Sequence, residues 1–182
     1  MVEKEHSAPF TPRIKSAVAG RADYSGLETL LTSNQRPQVI LVRHGTTTQN
    51  SRVERLLKQP GTTLGDWIDL QSDPGLIDAD LTAEGVEQCS RAGDLIRNHR
   101  FDAVFISPMT RTLHSAHLLF RDNCGFDDMD FFVHPLLREK VHVSADLLST
   151  HDLQKRVAEW QTRFGTAKLS LCPSSGWELL EG

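Results

Sequence analysis

Short apolar runs are spread along the chain with polar, helically periodic stretches between them. Val39-Ile40-Leu41-Val42 and Ala103-Val104-Phe105-Ile106 each hold four consecutive apolar residues, and Phe131-Phe132-Val133 holds three. Runs of this length without alternation read as strands buried on both faces. Between and after them, apolar residues recur every three or four positions. Val86, Cys89, Gly93 and Ile96 form one stripe, and Met109, Leu113, Ala116 and Phe120 a second. Leu153, Val157, Trp160 and Phe164 form a third, on a helix expected from about 152 to 164. Each stripe predicts an amphipathic helix with that face turned to the core. Cys89 lies on such a stripe and is read as a core residue.

Local signals set the boundaries. Thr82 caps the helix carrying the first stripe, and Glu84 suits its first turn. Ser107 is the expected cap of the next helix, with Pro108 in the first position, where a missing N–H costs nothing. Residues 46–58 form a helix after the first strand. Pro60, Gly61, Gly65, Pro74 and Gly75 then punctuate a long irregular stretch over 58–79, in which Trp67 and Ile68 are either a pocket cover or a surface anchor. Residues 1–36 read as an N-terminal arm: 1–22 lack any period, and Ser25 to Leu31 has the spacing of a short capped helix that Pro37 ends. Residues 37–182 form the expected domain, with 165–182 loop-like.

Composition narrows the class without choosing a function. The 182 residues carry a net charge of −4, which argues against a nucleic-acid or general polyanion binder. Any anion site must therefore be a local basic cluster. Cys89, Cys124 and Cys172 are an odd number at unrelated spacings, without a zinc pattern or disulfide framework, which points to a reducing, cytoplasmic setting. No run of 18 apolar residues predicts a membrane span, and no secretory signal is expected at the N-terminus.

The chemistry concentrates after the first strand. Arg43 offers a planar fork suited to phosphate, and His44 a nitrogen that can be protonated or phosphorylated near neutral pH. Gly45 and the hydroxyl cluster Thr46-Thr47-Thr48 lead into a helix whose start offers N–H groups and a positive dipole end. Arg111 sits in the first turn of its helix, about 200° from Met109 at 100° per residue, so off the core face. An arginine there reaches the carboxyl end of an α/β sheet, where such sheets bind ligands.

Arg43, His44, Gly45, Thr47 and Asn50 match Arg-His-Gly-x-Thr-x-x-Asn. Leu81, Thr82, Gly85 and Gln88 match Leu-Thr-x-x-Gly-x-x-Gln, and residues 107–116 read Ser-Pro-x-x-Arg-Thr-x-x-Ser-Ala. In this order and spacing, the three segments resemble the histidine phosphatase superfamily, which includes the cofactor-dependent phosphoglycerate mutases. The resemblance covers roughly residues 36–150. It implies an α/β fold of three layers, α/β/α, with a mostly parallel sheet. It also implies phosphoryl transfer through a phosphohistidine on His44. Arg43 and Arg111 would clamp the phosphoryl group, with Asn50 and Thr47 donating hydrogen bonds. Glu139, in Leu137-Arg138-Glu139 after the third strand, would be the acid/base. No metal or cofactor is implied, since arginines supply the charge. The partner would be a small phosphorylated substrate or inorganic phosphate, not nucleic acid or membrane; a homo-oligomer is left open.

Two departures bear on activity. Thr46 stands where Glu or Gln is usual. The family's second histidine, ending a late apolar strand, has no counterpart: after Glu139 the chain has His142 and His151, neither in that setting. A truncated phosphatase and a natural short form are both consistent with this. The missing strand would lie beside the Arg-His-Gly strand, so an exposed apolar edge is expected there. The reading is a phosphomonoester phosphatase. The alternatives are a phosphoglycerate mutase-type phosphotransferase and a catalytically impaired phosphate-binding or interaction protein.

Overall fold

A computed structural model describes residues 14–17, 39–138, 150–165 and 168–172. The chain divides into two compact units, Met1–Arg43 and His44–Gly182.

In the first unit, β1 (Ile14–Ala17) pairs in parallel with β2 (Val39–Val42), with Ile14 opposite Val39 and Ala17 opposite Val42. Part of the expected arm is therefore a strand, and it occupies one edge of the strand that leads to Arg43. The expected helix at residues 25–31 lies outside the described residues. β2 is not buried as its composition predicts: Val39, Leu41 and Val42 are 53%, 48% and 54% exposed. Among the described residues of this unit, β1 is its only strand partner.

The second unit starts with α1 (Thr48–Leu57) and α2 (Leu64–Gln71), then a 3₁₀ turn at Pro74–Leu76. The stretch expected to be irregular thus contains a helix. Thr63 caps it, accepting from the Asp66 N–H while Asp66 answers to the Thr63 backbone. Trp67 is half-buried and Ile68 exposed.

After these come α3 (Ala83–Ile96), β3 (Ala103–Ile106), α4 (Thr110–Phe120) and β4 (Asp130–Val133). The described chain ends with α5 (Thr150–Phe164) and β5 (Leu169–Leu171). β5 falls where loop was expected. The strands pair in the order β3-β4-β5, all parallel, which with the helices gives the α/β class. Parallel neighbours need a crossover, and α4 and α5 are those crossovers.

The core lies between this sheet and its helices. Phe131, Val133 and Leu169 are fully buried on one face. The Phe131 ring meets Phe120, Phe126 and Phe164 with centroids 5.4–5.8 Å apart, two of the three contacts edge-on. All the predicted inward residues of α4 and α5 are buried. β3 is less covered than its run suggests: Ile106 is buried, but Phe105 is 59% exposed and stacks on Phe132 across the strands. Among the described residues of this unit, no helix covers that face.

Candidate active site

The His44 turn is held by the segment that follows it in sequence only forty residues later. The Thr82 N–H and hydroxyl both donate to the Thr46 carbonyl, at 2.9 and 3.1 Å. Leu81 forms an antiparallel bridge with Thr47, and the Thr48 N–H donates to the Asp80 carbonyl. The Gln88 Oε1 accepts from both the Thr46 N–H and the Thr46 hydroxyl, at 3.0 Å each. Gly85 presses its backbone against Thr46, leaving no room for a Cβ. Every named residue of the Leu-Thr-x-x-Gly-x-x-Gln segment is therefore part of a cradle for the turn. Thr46, the departure from the usual acidic or amide residue, gives its hydroxyl to that cradle.

The same turn is fastened to α4. The Gly45 N–H donates to Ser115 Oγ at 3.1 Å, and that hydroxyl donates to the Arg111 carbonyl at 2.7 Å. Arg111 and Ser115 are four residues apart, so they share one face of α4. That face meets the His44 turn. Sequence spacing put Arg111 off the Met109-Leu113 stripe; the side chain is nevertheless buried, only 7% exposed.

His44 itself is half-buried. Its Nδ1 lies 2.8 Å from the Gly45 carbonyl oxygen. A carbonyl can only accept, so Nδ1 carries the proton, and in the neutral imidazole Nε2 carries the lone pair. Arg43 is exposed and is the last residue of the first unit.

The helix start offers fewer open N–H groups than the sequence suggested. Thr47 and Asn50 form a reciprocal capping box: Thr47 Oγ1 accepts from the Asn50 N–H, and Asn50 Oδ1 accepts from the Thr47 N–H and hydroxyl. With the Gly45, Thr46 and Thr48 amides already committed to Ser115, Gln88 and Asp80, backbone donors around the turn serve its shape. Thr47 is 1% exposed, so its hydroxyl is a cap and not an open donor. The capping box uses the Asn50 N–H and Oδ1 and leaves Nδ2 out.

The expected cap of α4 is also different. Met109 is the N-cap residue and makes no side-chain bond, and the Ser107 hydroxyl is buried without a partner among the described residues. The Asp78 carboxylate caps the helix from outside, accepting from the Thr110 N–H at 2.8 Å and the Thr110 hydroxyl at 2.7 Å. Asp78, Gln88 and Ser115 hold the turn and the start of α4, parts that sequence reasoning did not give them. Gln88 and Ser115 stood within quoted motifs; nothing local marked Asp78.

Cys89 lies beneath the turn, as its place on the core stripe predicts. Burial pushes its thiol up from the ordinary 9.0, against smaller opposing effects from Ser115 and the Gly45 backbone. Glu139 and His142 lie outside the described residues, and so does the side chain of His151.

A histidine with a fixed tautomer, on a turn buttressed by an arginine-bearing helix, suits phosphoryl transfer. The chain belongs to the histidine phosphatase superfamily (branch 1), whose family model matches residues 39–181. Among characterised proteins, a 2,3-bisphosphoglycerate-dependent phosphoglycerate mutase from Afipia carboxidovorans is 29% identical over 107 residues, 58% of this chain and 51% of the mutase. A fructose-2,6-bisphosphatase TIGAR from Xenopus laevis is 31% identical over 106 residues, 58% of this chain and 32% of that protein. The matched part spans about half and about a third of these relatives.

Proposed function

We propose that this chain is a phosphomonoester phosphatase working through a phosphohistidine on His44, with a small phosphorylated metabolite as substrate. The observation that carries the reading is the 2.8 Å approach of His44 Nδ1 to the Gly45 carbonyl, which in the neutral imidazole puts the lone pair on Nε2, the nucleophile of this reading. Nε2 attacks phosphorus, the ester P–O bond breaks, and the leaving oxygen takes a proton from an acid, for which Glu139 is the candidate. Water then attacks phosphorus and the N–P bond breaks, returning the imidazole and releasing inorganic phosphate. Arg43 and Arg111 bind the phosphoryl oxygens and balance the charge that spreads over them in the transition state. Asn50 donates from Nδ2. This chemistry needs no metal.

The names of the relatives favour substrates that carry phosphate on a sugar or a short acid. Phosphatase is preferred to mutase because Thr46 replaces the usual acidic or amide residue and turns to Gln88. A reducing, cytoplasmic setting fits three cysteines that are all free. No described helix is long and apolar enough to cross a membrane.

Hydrolysis of p-nitrophenyl phosphate between pH 5 and 8, beside His44→Ala, tests the reading. Turnover by the parent and its loss in the variant, by a factor of about 10³ or more, is the expected result. Transfer that requires a bisphosphate primer would favour the mutase. A folded parent that binds phosphate without turnover would favour a binding protein.

A further inference from the structure

Asp78 stands out on three separate grounds. It is the only non-glycine residue with a left-handed backbone among those described, at φ +48°. Non-glycine residues enter that region at a cost, met only where surrounding contacts hold them there. Its carboxylate is nearly buried, with 12% of the side chain exposed. Both of its oxygens are engaged: Oδ1 by the Thr110 N–H, Oδ2 by the Thr110 hydroxyl and by Arg156 Nη1. Arg156, 21% exposed, projects from α5 and also reaches the Thr110 hydroxyl. One carboxylate thus ties the loop before α3, the first turn of α4 and the middle of α5.

Thr110 is the first residue of α4 and Arg111 is the second. An N-terminal turn has no preceding helical turn to hold it, so its direction depends on whatever takes its free N–H groups. Here that group is charged, complements the helix dipole, and is itself fixed by an arginine from another helix. The Ser107 hydroxyl, the local group positioned to cap, makes no such bond. Two residues on, Asp80 reaches the same helix, its Oδ1 lying 2.7 Å from His114 Nδ1, while its carbonyl takes the Thr48 N–H. The 78–82 segment therefore runs between the turn that carries His44 and the turn that carries Arg111, bonded to both.

We infer that Asp78, held by Arg156, is a positioning residue that fixes the first turn of α4 and thereby aims Arg111 at the phosphoryl site. This rests on the proposed role of Arg111. The carboxylate does not touch substrate; it occupies the helix end, so phosphate is received by the Arg111 side chain instead of the α4 amides. Asparagine at 78 tolerates the left-handed backbone and keeps an acceptor for the Thr110 N–H. It loses the charge that holds Arg156.

The test is a double-mutant cycle on the 182-residue chain with Asp78→Asn and Arg111→Ala, read as kcat/KM for p-nitrophenyl phosphate and as the dissociation constant of inorganic phosphate. Asp78→Asn is expected to lower kcat/KM and weaken phosphate binding about tenfold in the parent, and less than about twofold once Arg111 is alanine. Equal losses in both backgrounds, or no loss in a folded Asp78→Asn variant, would overturn the inference and leave the proposed function standing. If Asp78→Asn does not fold, Arg156→Gln takes its place with the same expected coupling to Arg111. A parent that neither turns over nor binds phosphate would fail the proposed function itself, and this inference with it.

Discussion

Gly45 and Gly85 meet backbone to backbone. A methyl group on Gly45 would lie 2.5 Å from the Gly85 carbonyl oxygen and 2.9 Å from Cys89 Sγ. One on Gly85 would fall on the Thr46 carbonyl and 2.9 Å from the Thr46 nitrogen. Neither glycine has a left-handed backbone; the requirement is space alone. The turn that aims His44 therefore sits directly on the first turn of α3, at a separation that only two missing side chains permit.

Gly85→Ala must push the Thr46 peptide away, and with it the two Thr82 bonds and the two Gln88 bonds to Thr46. Overpacking of this kind costs about 1–3 kcal/mol. Urea denaturation should show a lower midpoint, and kcat for p-nitrophenyl phosphate should fall with it, because the displaced peptide is two residues from His44. A variant with parental stability and parental turnover would remove the steric argument.

Cys89 should resist alkylation in the folded chain. Burial raises its thiol above the ordinary 9.0, so the thiolate fraction at pH 7–8 is smaller than in a free cysteine. Cys124 is exposed and Cys172 half-buried. With iodoacetamide, Cys124 should label first and Cys89 at least about tenfold more slowly, until urea unfolds the chain. The linkage has a definite sign. Above pH 9.0 an unfolded Cys89 ionises while the buried thiol stays protonated, so this group makes stability fall as pH rises through that alkaline window. Equal labelling of all three cysteines under native conditions would contradict the packing of the turn.

His117 supplies the acid-side counterpart. Its ring packs on Phe164 with centroids 5.1 Å apart, and its Nδ1 is buried without a partner among the described residues. Burial, then the charges of Arg121, His114 and Arg163, lower its proton affinity from the ordinary 6.5; Asp122 opposes them weakly. The folded value is depressed, so the stabilisation is present above pH 6.5. It is lost as pH falls below that, where the unfolded chain binds a proton that the folded chain refuses. The urea midpoint should drop between pH 6.5 and 5 in the parent and drop less in His117→Leu. Identical slopes in the two proteins would exclude His117 as the source.

Much of the architecture was legible because it is periodic or local. The stripes Met109-Leu113-Ala116-Phe120 and Leu153-Val157-Trp160-Phe164 predicted buried helix faces, and those residues are buried. Thr82 announced its own helix start because a cap acts on an N–H three residues away. α2 was hidden by Gly65 and by the Pro and Gly residues around it, although Thr63 and Asp66 form a capping box that outweighs one glycine. β5 was hidden because Leu169-Ser170-Leu171 is too short to speak for itself; β4 beside it makes it a strand.

The sequence by itself determined which residues could do chemistry: a histidine between arginine and glycine, an arginine in a first helical turn, and three spaced segments. Those follow from side-chain identity and from interactions within a few residues. Only the tertiary structure decided what the intervening positions are for. Asp78 caps a helix 32 residues away, Gln88 holds a carbonyl-bearing turn 42 residues back, and Ser115 joins Gly45 to Arg111 across 70. A hydrogen bond depends on distance in space, and one chain order allows many pairings of equal local merit. The fold chooses among them by bringing two backbones close enough that Gly45 and Gly85 can only be glycine.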